Sequence, residues 1–363
     1  MKVAIVHDWL VTNAGAEKVL RALIDLYPEA DIFSLVDFLT PKDRQVVVAN
    51  KSVKTSFIQK LPFAKHHFRN YLPLFPLAIE SFDLSKYDLI ISSSWAVAKG
   101  IKKESHQLHI SYCYTPIRYA WDLYDEYTYN LKQPKKFFVQ SSLAYIRKFD
   151  IKTLTRVDYF IADSKFVAER IQRIYNRQST VIYPPVAIER FSLYEQKEEF
   201  YLTVSRLVPY KKTRLIVEAF NKMPEKKLIV IGDGEEYQSI MKIAGDNILL
   251  LGYQKEDVLI KYMQKAKAFV YAAIEDFGIV ILEAMSCGTP VIALDYGGTG
   301  ETVENGVSGI YFKKQEVDAI INAVMLFETK KFDYKAISKN IKSYSYSRFR
   351  KEVSIFIDEK LHK

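Results

Sequence analysis

Short apolar runs that stop at a small-residue turn and give way to helical spacing recur along almost the whole chain. Residues 2–7 (KVAIVH) lead to a turn at 12–15 (TNAG), and apolar residues then fall at helical spacing over 16–26. Residues 89–91 run into Ser92, Ser93 and Ser94, 108–112 form another strand, and 159–162 reach Asp163 and Ser164, either of which can cap the helical KFVAERIQRIY. After Tyr183-Pro184-Pro185, residues 189–199 are polar and read as a strand-free linker. The series then resumes. Strands at 200–204, 227–231, 248–251, 268–273 and 290–294 alternate with helices at 213–221, 258–265 and 279–285. Alternation of this kind predicts parallel sheets covered by helices on both faces. At 363 residues the chain exceeds what one core ordinarily holds, so two such domains are expected. The division falls at 1–184 and 185–343, with the aromatic, helical segment 344–363 packing back on the first domain.

Ligands of parallel α/β sheets bind beyond the carboxyl ends of the strands, and four stretches there carry chemistry. In 268–293 the strand AFVYAA is followed by IEDFG and a helix bearing Glu283. Gly278 lets the backbone approach a ligand, and the N–H groups of Ile279 and Val280 open a helix that favours an anion. Glu275 and Glu283 stand eight residues apart, and the helix carboxylate could accept hydrogen bonds from paired ribose hydroxyls; a solvated helix residue and an acidic loop are the plainer reading. In SRLVPYKK (205–212) the cations Arg206 and Lys211 at a strand end can neutralise a diphosphate whose charge grows as a sugar departs. At the first turn, Gly15 can admit a phosphate or sugar. In SYCYTPIRYAWD (111–122), Tyr114, Arg118 and Trp121 suit a sugar or acceptor wall, or an aromatic core with a structural arginine.

Several chemistries are disfavoured. The first turn lacks the G-x-G-x-x-G of NAD or FAD binding, and neither a P-loop, H-E-x-x-H nor G-x-S-x-G occurs. Two cysteines, Cys113 and Cys287, allow no disulfide framework or cysteine metal cluster, and both are expected to be reduced and structural.

IYPPVAIERF, SRLVPYKK, IGDGEE, LGYQ, EDFGIVILEAMSCGTPVIA and GGTGETVENGVSGIYF follow one another in an order and spacing that resemble the retaining family-4 glycosyltransferases of the GT-B fold. The Glu275–Glu283 pair matches that family's E-x7-E motif. The resemblance implies two Rossmann-like domains with parallel sheets facing across a cleft. It implies a retaining, metal-independent hexosyltransferase with no cofactor besides its nucleotide-sugar. In that family Arg206 and Lys211 would hold the donor diphosphate, Glu283 the ribose, and Glu275 the donor sugar near the reacting centre. The backbone from Phe277 through Gly278 and Ile279 to Val280 would hold hydroxyl and phosphate oxygens, Gly15 would close on the diphosphate, and backbone near Tyr253 would meet the base. YCYTPIRYAWD is similar to a mannosyltransferase-like subgroup of polysaccharide and O-antigen synthesis. There the position of Tyr114 usually holds His, and two glycines often stand where this chain has Ala14-Gly15. The expected activity is transfer of a sugar, GDP-mannose being the favoured donor, to a hydroxyl of a lipid-linked or cell-surface glycan. The alternatives are a UDP-sugar donor and a nucleotide-sugar 2-epimerase of the same architecture.

The net charge of +9 favours anionic partners. Between Asp43 and Glu80 there is no acid, but six Lys and Arg are interleaved with aromatic and aliphatic residues. Segment 44–75 therefore suits an anionic membrane surface, or is a solvated loop whose aromatics pack inward. No nucleic-acid partner is expected. The N-terminal run is broken by Asp8 and reads as a buried strand rather than a signal peptide. The expected location is cytoplasmic, peripheral on the inner face of the plasma membrane.

Overall fold

The computed structural model describes residues 1–129 and 131–362. The chain divides into two compact units: Met1–Pro185 with the C-terminal residues from Phe349 on, and Val186–Arg348.

The first unit is built on a seven-stranded sheet. Its strands are β1 (Val3–His7), β2 (Asp31–Ser34), β3 (Val53–Thr55), β4 (Leu89–Ser94), β5 (Leu108–Cys113), β6 (Tyr159–Ala162) and β7 (Ser179–Val181), in the order β3-β2-β1-β4-β5-β6-β7. All neighbours pair parallel. β1 and β4 are buried along their whole length, as strands covered on both faces require. The helix Tyr346–Leu361 contributes Phe349, Val353, Phe356 and Ile357 to this unit's interior, with the Phe349 and Tyr112 rings 5.7 Å apart.

The second unit has six strands: β8 (Glu198–Val204), β9 (Leu228–Ile231), β10 (Ile248–Gly252), β11 (Ala266–Tyr271), β12 (Val291–Leu294) and β13 (Gly309–Phe312). Their order is β10-β9-β8-β11-β12-β13, again parallel throughout. In each sheet the order reverses once, between β1 and β4 and between β8 and β11. Loops leaving the carboxyl ends at such a point diverge to opposite faces and open a crevice.

Two sequence expectations are corrected. The linker is not strand-free through residue 199, because β8 begins at Glu198, where polar side chains stand exposed on an otherwise buried strand. Segment 44–75 is not a loop. It contains short helical turns at Phe57–Lys60, Ala64–His67 and Phe68–Leu74. Ile58, Phe68 and Phe75 are buried in the first core, and Leu61, Tyr71, Leu72 and Leu74 pack against it. Only Phe57 and Phe63 of the segment's named aromatics are largely exposed.

Candidate functional site

The reversal between β8 and β11 brings Lys211 and Glu275, from the loops after those two strands, into contact. The loop after β8 is held at both ends. Ser205 and Thr213 share a hydroxyl hydrogen bond of 2.9 Å, and the Leu207 N–H donates to the Asp233 carbonyl at 2.9 Å. Within it a short turn, Pro209–Lys211, ends at Lys212 in the left-handed region (φ 56°). The Lys211 ammonium is thereby carried to the loop after β11, where it pairs with Glu275 Oε1. The Tyr271 hydroxyl donates to the same oxygen at 2.6 Å, and the lysine lies 3.3 Å from that hydroxyl. Both donors converge on Oε1, so Glu275 Oε2 has no hydrogen-bond partner among the described residues. Burial and the adjacent Glu275 charge raise the Tyr271 pKa well above its ordinary value, which keeps the phenol a donor.

Glycine backbone supports Glu275 from behind. The Gly298 N–H donates to the Glu275 carbonyl at 2.8 Å. A Cβ at Gly297 would lie 2.6 Å from that carbonyl, and one at Gly298 would lie 2.4 Å from Phe277 Cα. Gly278 adopts φ 90° and caps the helix Ile279–Ser286, on which Glu283 is 7% exposed. Phe277 is buried, its ring 5.8 Å from Tyr344, so only its backbone is available to a ligand. Arg206 is exposed and its guanidinium has no side-chain partner among the described residues. Tyr253 is 78% exposed and follows Gly252 at φ 65°. Lys211 and Glu275 are thus in direct contact, while Tyr271, Gly297 and Gly298 join them without having been singled out from the sequence. Among the described residues, no group of three or more His, Cys, Asp and Glu is arranged to hold a metal ion.

In the first unit the corresponding reversal is filled by scaffold. The Asp8 carboxylate accepts N–H bonds from Trp95, Ala96, Val97 and Ala98 at 2.7–2.8 Å. Burial nonetheless leaves its pKa raised. Gly15 opens the helix Gly15–Leu26, and the preceding Ala14 N–H donates to Glu17 Oε2 at 3.0 Å. Tyr114 donates to the Ala16 carbonyl at 2.9 Å, lies 2.8 Å from Ser93 Oγ, and Ser93 in turn lies 2.9 Å from His7 Nδ1. Since Tyr114 gives its proton to Ala16, Ser93 must donate to Tyr114 and His7 Nδ1–H to Ser93, which fixes the chain's direction. The Trp121 indole N–H donates to Asp150 at 2.8 Å, and Arg118 is half-buried on the same loop. The polar groups of Tyr114 and Trp121 are therefore engaged by the scaffold.

Comparison with known proteins follows the two units. Residues 14–190 match the model of Glycosyltransferase Family 4, and residues 187–344 match that of Glycosyl transferases group 1. A structure of Anabaena HepE in complex with UDP-glucose superposes with a TM-score of 0.70 at 18% identity, covering 99% of this chain and 100% of that one. The fold is GT-B. An uncharacterized glycosyltransferase of Methanocaldococcus jannaschii is 29% identical over 53% of this GT-B chain and 55% of its own length. A GDP-mannose-dependent alpha-(1-6)-phosphatidylinositol monomannoside mannosyltransferase of Mycolicibacterium smegmatis is 32% identical over 33% of this chain and 36% of its own. The chain thus spans about half or less of the length of these curated relatives.

Proposed function

We propose that this GT-B chain is a retaining glycosyltransferase that moves a sugar from a nucleotide-sugar to a hydroxyl of a lipid-linked or cell-surface glycan. The observation that carries the reading is the contact of Lys211 with Glu275 and Tyr271 at the reversal between β8 and β11. An ammonium has three donors, and two are directed at Glu275 and Tyr271, so one remains for a phosphate oxygen. Glu275 cancels the lysine's charge, so Arg206 and the N–H groups of Ile279 and Val280 supply the remaining attraction for a diphosphate. Glu275 Oε2 accepts from a donor-sugar hydroxyl, Glu283 from the ribose, and backbone at Tyr253 meets the base. In the transfer step the bond between anomeric carbon and phosphate oxygen breaks. The acceptor oxygen bonds to the same face of the sugar, and its proton passes to the departing phosphate. On this reading the step uses no metal.

GDP-mannose is the favoured donor, on the strength of the mycobacterial relative's name. The UDP-glucose bound to HepE favours the UDP-sugar alternative instead. The M. smegmatis relative is named as a transferase on a lipid, which supports a lipid-linked acceptor and transfer over epimerisation. Such an acceptor draws the enzyme to a membrane surface. Among the described residues no helix is long and apolar enough to cross a membrane.

Thermal-shift measurements with GDP, UDP and ADP, then with their sugar forms, identify the donor. With that donor, Lys211→Ala is expected to lower turnover about 10–1000-fold, the range for removing one charge stabiliser. No transfer or donor hydrolysis with any sugar nucleotide would overturn the reading. A product of unchanged mass formed without acceptor would point to epimerisation.

A further inference from the structure

We propose that the outward face of the helix Lys135–Lys152, in the first unit, docks on an anionic lipid bilayer. The helix buries Leu143, Ile146 and Phe149 in the first core. On a surface helix the opposite side should be polar. Here Phe137 is 62% exposed, Phe138 65%, Tyr145 44% and Ile151 42%. With Ser141, Ala144, Lys148 and Lys152, also exposed, these positions step by three, four and seven residues and so form one continuous stripe. The helix is apolar on two sides, and the core covers only one of them.

Charge identifies the occupant. The helix and the residues just before it carry Lys132, Lys135, Lys136, Lys148 and Lys152. The single acid of the helix, Asp150, is turned inward to Lys99, Trp121 and Tyr175. Arg147 is also turned inward, to the Ala120 carbonyl and over the Tyr124 ring. The outward stripe therefore presents phenyl, phenol and isoleucine side chains flanked by lysines, with no carboxylate. Aromatic residues at the headgroup boundary with lysines reaching phosphates is the composition of an interfacial helix. A second copy of the same face would bring lysines against lysines. Segment 44–75, which draws attention in the sequence, is less suited: Arg44 pairs with Asp37, Lys54 with Asp31, and most of its apolar residues face the core.

The proposal rests on the membrane-peripheral part of the preceding reading and not on the chemistry of transfer, so donor hydrolysis in solution serves as a separate readout. The test is co-sedimentation of the whole protein with vesicles of phosphatidylcholine alone or mixed with phosphatidylglycerol, at low and high salt. The parent should bind the mixed vesicles, release at high salt and ignore phosphatidylcholine. Phe137→Ser with Phe138→Ser, and independently Lys148→Glu with Lys152→Glu, should each weaken binding about tenfold or more while soluble donor hydrolysis persists. All four side chains are exposed, and unchanged thermal unfolding would confirm intact folds. Phe57→Ser with Phe63→Ser should bind as the parent does. Loss in that pair alone would overturn the helix proposal and move the contact to 44–75. A parent that ignores anionic vesicles would overturn both membrane assignments. Concentration-dependent self-association abolished by Phe137→Ser with Phe138→Ser would overturn the proposal in favour of a second copy.

Discussion

Tyr271 lends its hydroxyl to the oxygen of Glu275 that Lys211 also holds, so it orients both charged groups without adding charge of its own. Tyr271→Phe keeps the buried ring and removes one hydrogen bond to a carboxylate, worth about 1.5–3 kcal/mol. If roughly half of that holds Glu275 in its reactive orientation, turnover falls about four- to tenfold with little change in donor KM. Steady-state kinetics with the donor that stabilises the protein most would show this, and turnover within twofold of the parent would mean the hydroxyl does not orient Glu275. Tyr114 invites a different test, because its hydroxyl joins β4 to the first turn of the helix Gly15–Leu26. Tyr114→Phe leaves the Ala16 carbonyl and Ser93 short of a partner at a half-buried position, a cost of about 1–3 kcal/mol. Denaturant unfolding measures it. A cost near zero would mean that water replaces the hydroxyl and that Tyr114 is open to the role the sequence suggests.

At the scale of elements, the loops after β8 and β9 meet backbone to backbone, and glycine is what permits it. A Cβ at Gly232 would lie 1.8 Å from the Ser205 carbonyl oxygen, and one at Gly234 would lie 2.3 Å from that of Leu207. Main-chain atoms cannot rotate aside as a side chain can. Gly232→Ala is therefore expected to displace the loop carrying Arg206, with a stability cost of about 1–3 kcal/mol and a smaller nucleotide-induced thermal shift. Gly306→Ala is the control. Gly306 has φ 81° with nothing within 4 Å of its Cβ position, so it carries backbone strain alone, about 1–2 kcal/mol, and leaves the nucleotide response intact. Strands β1, β4, β5, β8, β11 and β12 were legible in the sequence because their apolar runs are continuous and buried. Strands β2, β3, β7 and β13 were not, since runs of three or four residues that mix polar residues or glycine with apolar ones give too little pattern. Glu275 and Lys211 were legible from their place at strand ends. Tyr271 was not, because one tyrosine at the end of an apolar strand reads as core. The outer stripe of Lys135–Lys152 was hidden for the opposite reason: apolar residues on two sides of a helix erase the contrast by which an exposed face is recognised.

At the scale of the whole molecule, two separate cores mean that acid need not unfold the chain in one step. His109 in the first unit is fully buried, lies 2.7 Å from the Arg156 carbonyl through Nδ1 and 2.9 Å from Ser92 Oγ through Nε2. Burial lowers its pKa to about 4 from an ordinary 6.5. Above pH 6.5 the imidazole is neutral folded or unfolded and contributes nothing to the pH dependence. Between 6.5 and 4 the unfolded chain takes up a proton that the folded one refuses, so stability falls with falling pH, by about 3 kcal/mol over the interval. In the second unit, burial of Glu328 is outweighed by hydrogen bonds from Lys267, Tyr201 and Lys226, which hold its pKa at about 2. Its stabilisation is complete above pH 4.5 and is lost as the pH falls toward 2. The first unit should therefore weaken at higher pH than the second. Calorimetry from pH 7 to pH 3 is expected to show one component moving down in temperature from about pH 6.5 and another holding until below pH 4.5. In His109→Asn the first component should lose most of its slope between pH 6.5 and 4 and the second should be unchanged. An unaltered slope in that variant would assign the acid sensitivity to another group.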